Sequence, residues 1–163
     1  MKTLFIGGIK SGKSHLAEAY ILDKFNYPVY LATTEILDDE IRLRVDAHLK
    51  HRTDKFETIE EARYLLTALE STSKAVLVEC VTMWLNNLIY YEYSDEEILA
   101  ELENVLNLNK NIVFVLNDVG SGIIPDNELA RRFVDLSGKA SQIIASKCKE
   151  VYHVVAGIKY KIK

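Results

Sequence analysis

The run Gly7-Gly8-Ile9-Lys10-Ser11-Gly12-Lys13-Ser14 constrains this chain more than any other stretch, because it satisfies G-x-x-x-x-G-K-[ST] without exception. A short β-rich run, Thr3 to Ile6, leads into it. Lys13 to Phe25 follows, with Leu16, Ala17, Tyr20 and Ile21 at helical spacing. Strand, glycine turn and helix in that order are the context in which the string becomes a phosphate-binding loop rather than a chance glycine-rich turn. Glycines let the backbone curl so that successive N–H groups converge on phosphate oxygens. The helix that follows adds the positive end of its dipole. The Lys13 ammonium is expected to neutralise the β- and γ-phosphates of a nucleoside triphosphate, and the Ser14 hydroxyl to ligate Mg²⁺.

A second acidic group is expected to complete the metal site from the end of another core strand. Glu79 ends the run Ala75-Val76-Leu77-Val78 and fits; Asp118, after Ile112 to Asn117, is its rival. Either could instead be a solvated carboxylate at a strand end.

The rest of the chain supports a layered α/β fold. It has 163 residues, enough for one domain with its own core, and neither repeats nor a linker divide it. Strands are expected at Val29–Ala32, Ala75–Val78, Asn111–Leu116 and Val151–Ala156, with Tyr160–Lys163 returning beside the last. Helices are expected at Asp38 to about Lys50 (capped by Asp38 or Asp39), Ile59–Leu69, Met83–Tyr91, Glu96–Leu106 and Asn127 to about Lys149. Apolar strands alternating with helices predict a mostly parallel sheet covered on both faces. Such sheets bind ligands beyond the carboxyl ends of their strands, so the loops of interest begin at Gly7, Thr33, Glu79, Asn117 and Gly157.

Composition excludes several classes. Net charge is −4, which offers no global attraction to nucleic acid. Lys10 and Lys13 interrupt the apolar start before it resembles a secretory leader, and no stretch reaches the roughly 18 apolar residues of a membrane span. Cys80 and Cys148 are far apart and lack metal-ligand spacing, as expected of buried thiols in a reducing cytoplasm. Trp84, Leu85, Leu88 and Ile89 form an apolar helical stripe, read as core or interface. Lys159, Lys161 and Lys163 are read as charges guarding an edge strand. Of the four histidines, His15 is expected on a helix face and His153 in a structural strand. His48 and His51 share one face of the second helix, beside Arg52, where spacing alone favours two surface histidines on a charged helix.

Taken together, these strings resemble the adenosylcobinamide kinase / adenosylcobinamide-phosphate guanylyltransferase family, from Leu4 to Lys163. The phosphate loop matches that family's G-G-x-x-S-G-K-S. Ala32-Thr33-Thr34 is similar to its A-T-[AS], and Arg44 to Arg52 to R-I-x-x-H-x-x-x-R. Phe56 to Glu60 resembles W-x-T-x-E, and Glu79-Cys80-Val81-Thr82 resembles [DE]-C-[LIV]-T. Asn117 to Pro125 resembles N-E-V-G-x-G-I-V-P, and Val154 to Ile158 resembles V-V-[SA]-G-[IL]. The chain departs from the pattern at Thr53, Phe56, Asp118 and Ser141.

The resemblance implies a RecA-like P-loop fold, a homotrimer and two activities. One phosphorylates the aminopropanol hydroxyl of adenosylcobinamide with ATP or GTP. The other transfers GMP from GTP to that phosphate, giving adenosylcobinamide-GDP and pyrophosphate. The family's guanylyl carrier falls on His48. Nucleotide contacts fall on the phosphate loop, on Ala32, Thr33 and Thr34, on Leu49, Lys50, His51 and Arg52, and on Glu60 and Glu79. The residue types suit this chemistry. A neutral imidazole is a competent nucleophile, and the loop with its Mg²⁺ stabilises a leaving pyrophosphate. His48 must then be carried to the α-phosphate by its helix, so that helix or the loop before it is expected to move on nucleotide binding. Two rival readings remain: a small-molecule kinase using only the loop, and a nucleotide-binding protein without phosphoryl chemistry.

Overall fold

The computed structural model describes residues 1–35 and 54–163. In chain order its elements are β1 (Lys2–Gly7), α1 (Lys13–Lys24), β2 (Val29–Ala32), β3 (Glu57–Glu60), α2 (Leu65–Glu70) and β4 (Val76–Glu79). Then come α3 (Val81–Tyr90), α4 (Asp95–Asn107), β5 (Ile112–Asn117), α5 (Glu128–Lys147), β6 (Glu150–Val155) and β7 (Ile158–Lys161). Among the described residues one sheet forms, in the order β3-β2-β4-β5-β1-β6-β7. Every pairing is parallel except β6 with β7, which is antiparallel.

The interior strands are apolar on both faces because helices cover both. Phe5, Tyr30, Leu77, Val113, Val115 and Val154 point toward α1, where Ala17, Tyr20 and Ile21 meet them. Their sequence neighbours Leu4, Val29, Leu31, Val76, Val78, Ile112, Phe114 and Leu116 point the other way, against apolar residues of α2, α3, α4 and α5. The alternation is the two-residue period of a strand. Each fully buried aliphatic or Phe side chain contributes roughly 1.5–3 kcal/mol of transfer free energy. The Trp84 stripe belongs to this core: Trp84 and Leu85 are fully buried, and the indole N–H donates to the Arg63 carbonyl at 2.8 Å.

Helix starts follow local chemistry. Ser94 and Glu97 form a reciprocal capping box at α4, and Asn127 accepts from the Ala130 N–H at α5. Helix α1 instead begins after Gly12, with no side-chain cap and no acidic residue in its first turn. Its first N–H groups are therefore left for an anion.

One expected element is corrected. Ile59–Leu69 does not form a single helix: Glu57–Glu60 is the edge strand β3, and the helix spans only Leu65–Glu70. Ile59, Leu65, Leu66 and Leu69 are spaced helically, but pairing of Glu57–Glu60 with β2 takes the start of that stretch into the sheet. The expected polar helix from Asp38 to about Lys50, its cap, and His48, Leu49, Lys50, His51 and Arg52 lie outside the described residues. The final hairpin forms, but its return strand is Ile158–Lys161 rather than Tyr160–Lys163, because the turn takes only Ala156 and Gly157; Lys159, Lys161 and Lys163 are exposed on or beside this edge strand β7.

Candidate active site

The phosphate loop connects the carboxyl end of β1 to α1. Lys10 and Gly12 take left-handed backbone, at φ 57° and 93°, on either side of Ser11, and the Ser11 N–H donates to the Gly8 carbonyl at 3.2 Å. Gly8, Ile9 and Lys10 are exposed, whereas Ser11 and Lys13 are buried. The Lys13 ammonium donates to the Gly8 carbonyl at 3.0 Å, so it is held over the loop's own backbone. Burial pushes the Lys13 ammonium below the usual lysine range, against the opposing pull of the Glu79 charge.

Helix α1 packs across β1, β5 and β4, which brings its first turn to the end of β4. There the Ser14 hydroxyl donates to Glu79 Oε1 at 2.6 Å. Asp118 is placed differently. Its N–H donates to the Gly7 carbonyl at 2.9 Å, and its carboxylate accepts from the Ser121 hydroxyl. The two acidic candidates thus separate: Glu79 faces the loop's serine, and Asp118 closes its own turn.

The donors fit Mg²⁺. A hydroxyl and a carboxylate oxygen in contact are a hard oxygen set, and a dication held by a few protein oxygens alongside nucleotide phosphates is what this metal requires. A serine that donates its proton to Glu79 still presents its lone pairs to a cation.

Residues from three strand ends lie on one row of the sheet. Ala32 is in register with Glu60 on one side and Glu79 on the other. The parallel sheet therefore gathers three sequence-distant candidates within about 10 Å, two strand spacings. Glu60 is exposed and Ala32 half-buried.

Thr33 has a role that sequence reasoning missed. It is fully buried, and its hydroxyl both donates to the Cys80 carbonyl at 2.7 Å and accepts from the Cys80 N–H at 2.9 Å. The peptide between Glu79 and Cys80 is cis. The Thr33 carbonyl accepts from the Asn87 amide at 2.7 Å, and the same amide reaches Ala62 beyond β3. Thr82 accepts from the Asn117 N–H at 2.7 Å, joining α3 to the end of β5. These polar groups tie together the loops at the carboxyl edge. No sequence period marks them; Thr33 and Thr82 stand out only as small hydroxyl residues shortly after the apolar strands β2 and β4.

The Cys80 thiol, behind Glu79, is pushed up to about 12 by burial and by that carboxylate, so it is an inert neutral group. His15 is exposed on α1, and His153 Nδ1 pairs with the Tyr160 hydroxyl at 2.7 Å across the hairpin.

A mostly parallel sheet with an amide-lined G-x-x-x-x-G-K-S turn after β1 and a carboxylate at the end of a nearby core strand defines a P-loop nucleotide-binding protein. Solved structures agree on the fold. One solved ATPase domain aligns with a TM-score of 0.50 at 10% identity, over 93% of this chain and 68% of that one. An ATPase from the type III secretion system of pathogenic bacteria aligns at 0.51 and 13%, over 98% of this chain and 56% of its own.

Within that class the chain belongs to the CobU family, cobinamide kinase / cobinamide phosphate guanyltransferase, whose profile matches residues 3–162. It is 36% identical over 182 aligned positions to the bifunctional adenosylcobalamin biosynthesis protein CobU of Escherichia coli strain K12, covering all of both chains. It is 37% identical to the Salmonella typhimurium LT2 protein of the same name, again over all of both. It is also 37% identical to the bifunctional CobP of Pseudomonas aeruginosa, over 98% of that protein. The chain is thus a member of a bifunctional enzyme family of cobalamin biosynthesis. No helix among the described residues is long and apolar enough to cross a membrane.

Proposed function

We propose that this chain, as a single catalytic domain, performs both family reactions at the phosphate loop: phosphorylation of adenosylcobinamide, then transfer of GMP from GTP to the product. The observation that carries this reading is the 2.6 Å contact of Ser14 with Glu79 beside the buried Lys13 ammonium. Loop N–H groups and the first turn of α1 hold the β- and γ-phosphates, and Lys13 neutralises them. Ser14 and Glu79 would hold Mg²⁺, which supplies charge neutralisation on the phosphates.

In the kinase step the substrate hydroxyl oxygen bonds to the γ-phosphorus, the bond to the nucleoside diphosphate breaks, and the hydroxyl proton is released. In the transferase step a His48 ring nitrogen bonds to the α-phosphorus as pyrophosphate leaves. An oxygen of adenosylcobinamide phosphate then displaces the imidazole and forms the diphosphate. Lys13 and the loop stabilise the charge that accumulates on each leaving group. Ala32, Thr34, Glu60 and the segment Leu49 to Arg52 complete the nucleotide contacts. We place the enzyme in the cytoplasm as a homotrimer, which light scattering on purified protein tests.

Incubation with α-³²P-GTP and Mg²⁺ tests the chemistry. A protein-bound label that is acid-labile and base-stable, absent from a His48→Ala variant that still binds GTP, is the expected result. Wild-type protein that phosphorylates adenosylcobinamide but never labels would reduce the reading to a kinase. Binding with neither reaction would reduce it to a nucleotide-binding protein.

A further inference from the structure

The turn between β6 and β7 touches the phosphate loop from outside the motif. Strand β6 lies beside β1, with Val154 in register with Gly7. The strands β6 and β7 are joined by only two residues, Ala156 and Gly157, both in left-handed backbone at φ 52° and 78°. Such a two-residue turn matches the twist of its strands. The Gly157 N–H donates to the Ser11 carbonyl at 2.8 Å.

The packing around this bond leaves little room for side chains on the loop's own glycines. A Cβ on Gly12 would sit 3.2 Å from Gly157 Cα. A Cβ on Gly7 would run into the Val154 carbonyl and lie 2.8 Å from Ser11 Oγ. Ser11 Oγ is itself buried here, without a hydrogen-bond partner among the described residues.

The consequence follows from peptide geometry. In a trans peptide the C=O and the N–H of one unit point in opposite directions. Fixing the Ser11 carbonyl on Gly157 therefore turns the Gly12 N–H away from the hairpin. That N–H immediately precedes the open first turn of α1. We propose that Gly157 is a positioning residue for nucleotide binding, which holds the Ser11–Gly12 peptide so that its amide is presented to phosphate. This rests on the loop's role given under the proposed function.

Gly157 is suited to a clean test, since a Cβ there would meet nothing within 4 Å and its φ is the constraint. Asn tolerates left-handed backbone, whereas a β-branched residue does not. Gly157→Val is expected to weaken Mg-GTP binding about tenfold by calorimetry, and Gly157→Asn to stay near wild type. The Gly12 amide resonance of the ligand-free protein is expected to move in the Val variant and hold in the Asn variant. Gly157→Ala replaces the Val variant if the latter fails to fold. Wild-type affinity with an unmoved Gly12 amide in the Val or Ala variant would overturn the proposal, as would equal losses with Asn and Val. If wild-type protein itself binds no GTP, the nucleotide reading fails, while the Gly12 amide still reports on the brace.

Discussion

The Ser14 hydroxyl donates to Glu79 Oε1 at 2.6 Å, joining the first turn of α1 to the end of β4 with β5 lying between β4 and β1. That contact bridges positions 65 residues apart and puts a neutral oxygen and an anionic one side by side at the mouth of the loop.

Removing the charge while keeping the shape isolates its role. Glu79→Gln is expected to weaken the apparent Mg²⁺ affinity of GTP-dependent activity about 10- to 100-fold. Ser14→Ala is expected to act in the same direction. A magnesium titration of each variant measures this, and an unchanged midpoint in both would argue against metal at this pair.

Lys13 gives nucleotide binding a pH dependence of known sign. Burial lowers its pKa in the free protein, whereas a bound polyphosphate favours the charged ammonium. Affinity is therefore full below the free-protein pKa and is lost as pH rises through it, beginning below the ordinary 10.5. Calorimetric titration with Mg-ATP across this range should show that decline with proton uptake on binding. A profile flat to pH 10.5 would refute it.

Thr33 holds both backbone groups of Cys80, the residue after Glu79. Thr33→Val keeps the shape but strands the buried Cys80 N–H, while the Cys80 carbonyl keeps its bond from the Trp84 N–H, and the loss costs about 1–3 kcal/mol. Thr33→Ser keeps the hydroxyl and is expected to recover most of that. Denaturant unfolding separates the two; a Val variant as stable as wild type, or a Ser variant less stable than Val, would show that the hydroxyl is not what matters there.

The edge hairpin has its own acid sensitivity. Hydrogen bonds from Lys161 and then Tyr20 hold Glu150 at about 2, below its ordinary 4.5. Its contribution to stability is present above pH 4.5 and disappears as pH falls through about 2. Wild-type protein should therefore outlast Glu150→Gln near neutrality and lose that advantage in acid. Thermal melts over this range decide it, and a constant difference would count against the linkage.

What was readable in the sequence divides along local and non-local lines. The phosphate loop needs only its own short string and two flanking elements, so the string sufficed. Buried strands such as Val76–Glu79 and Ile112–Asn117 announce themselves because both faces are apolar. Glu57–Glu60 did not, since it begins and ends on an acidic residue and its strand character comes only from pairing with β2. The choice between Glu79 and Asp118 was open on spacing, because each ends an apolar run. Their partners, Ser14 and Ser121, differ only in three dimensions. Thr33 read as a ligand contact, and its inward hydroxyl could not be known before the ends of β2 and β4 were aligned.

The order of strands also governs when the pocket can exist. β1 is made first, yet its sheet neighbours are residues 112–117 and 150–154. A chain emerging from the ribosome thus carries the Gly7–Ser14 loop without its sheet neighbours until those residues follow. Those pairings close only after β5 and β6 have been translated, so the order of synthesis and the order of the sheet run against each other.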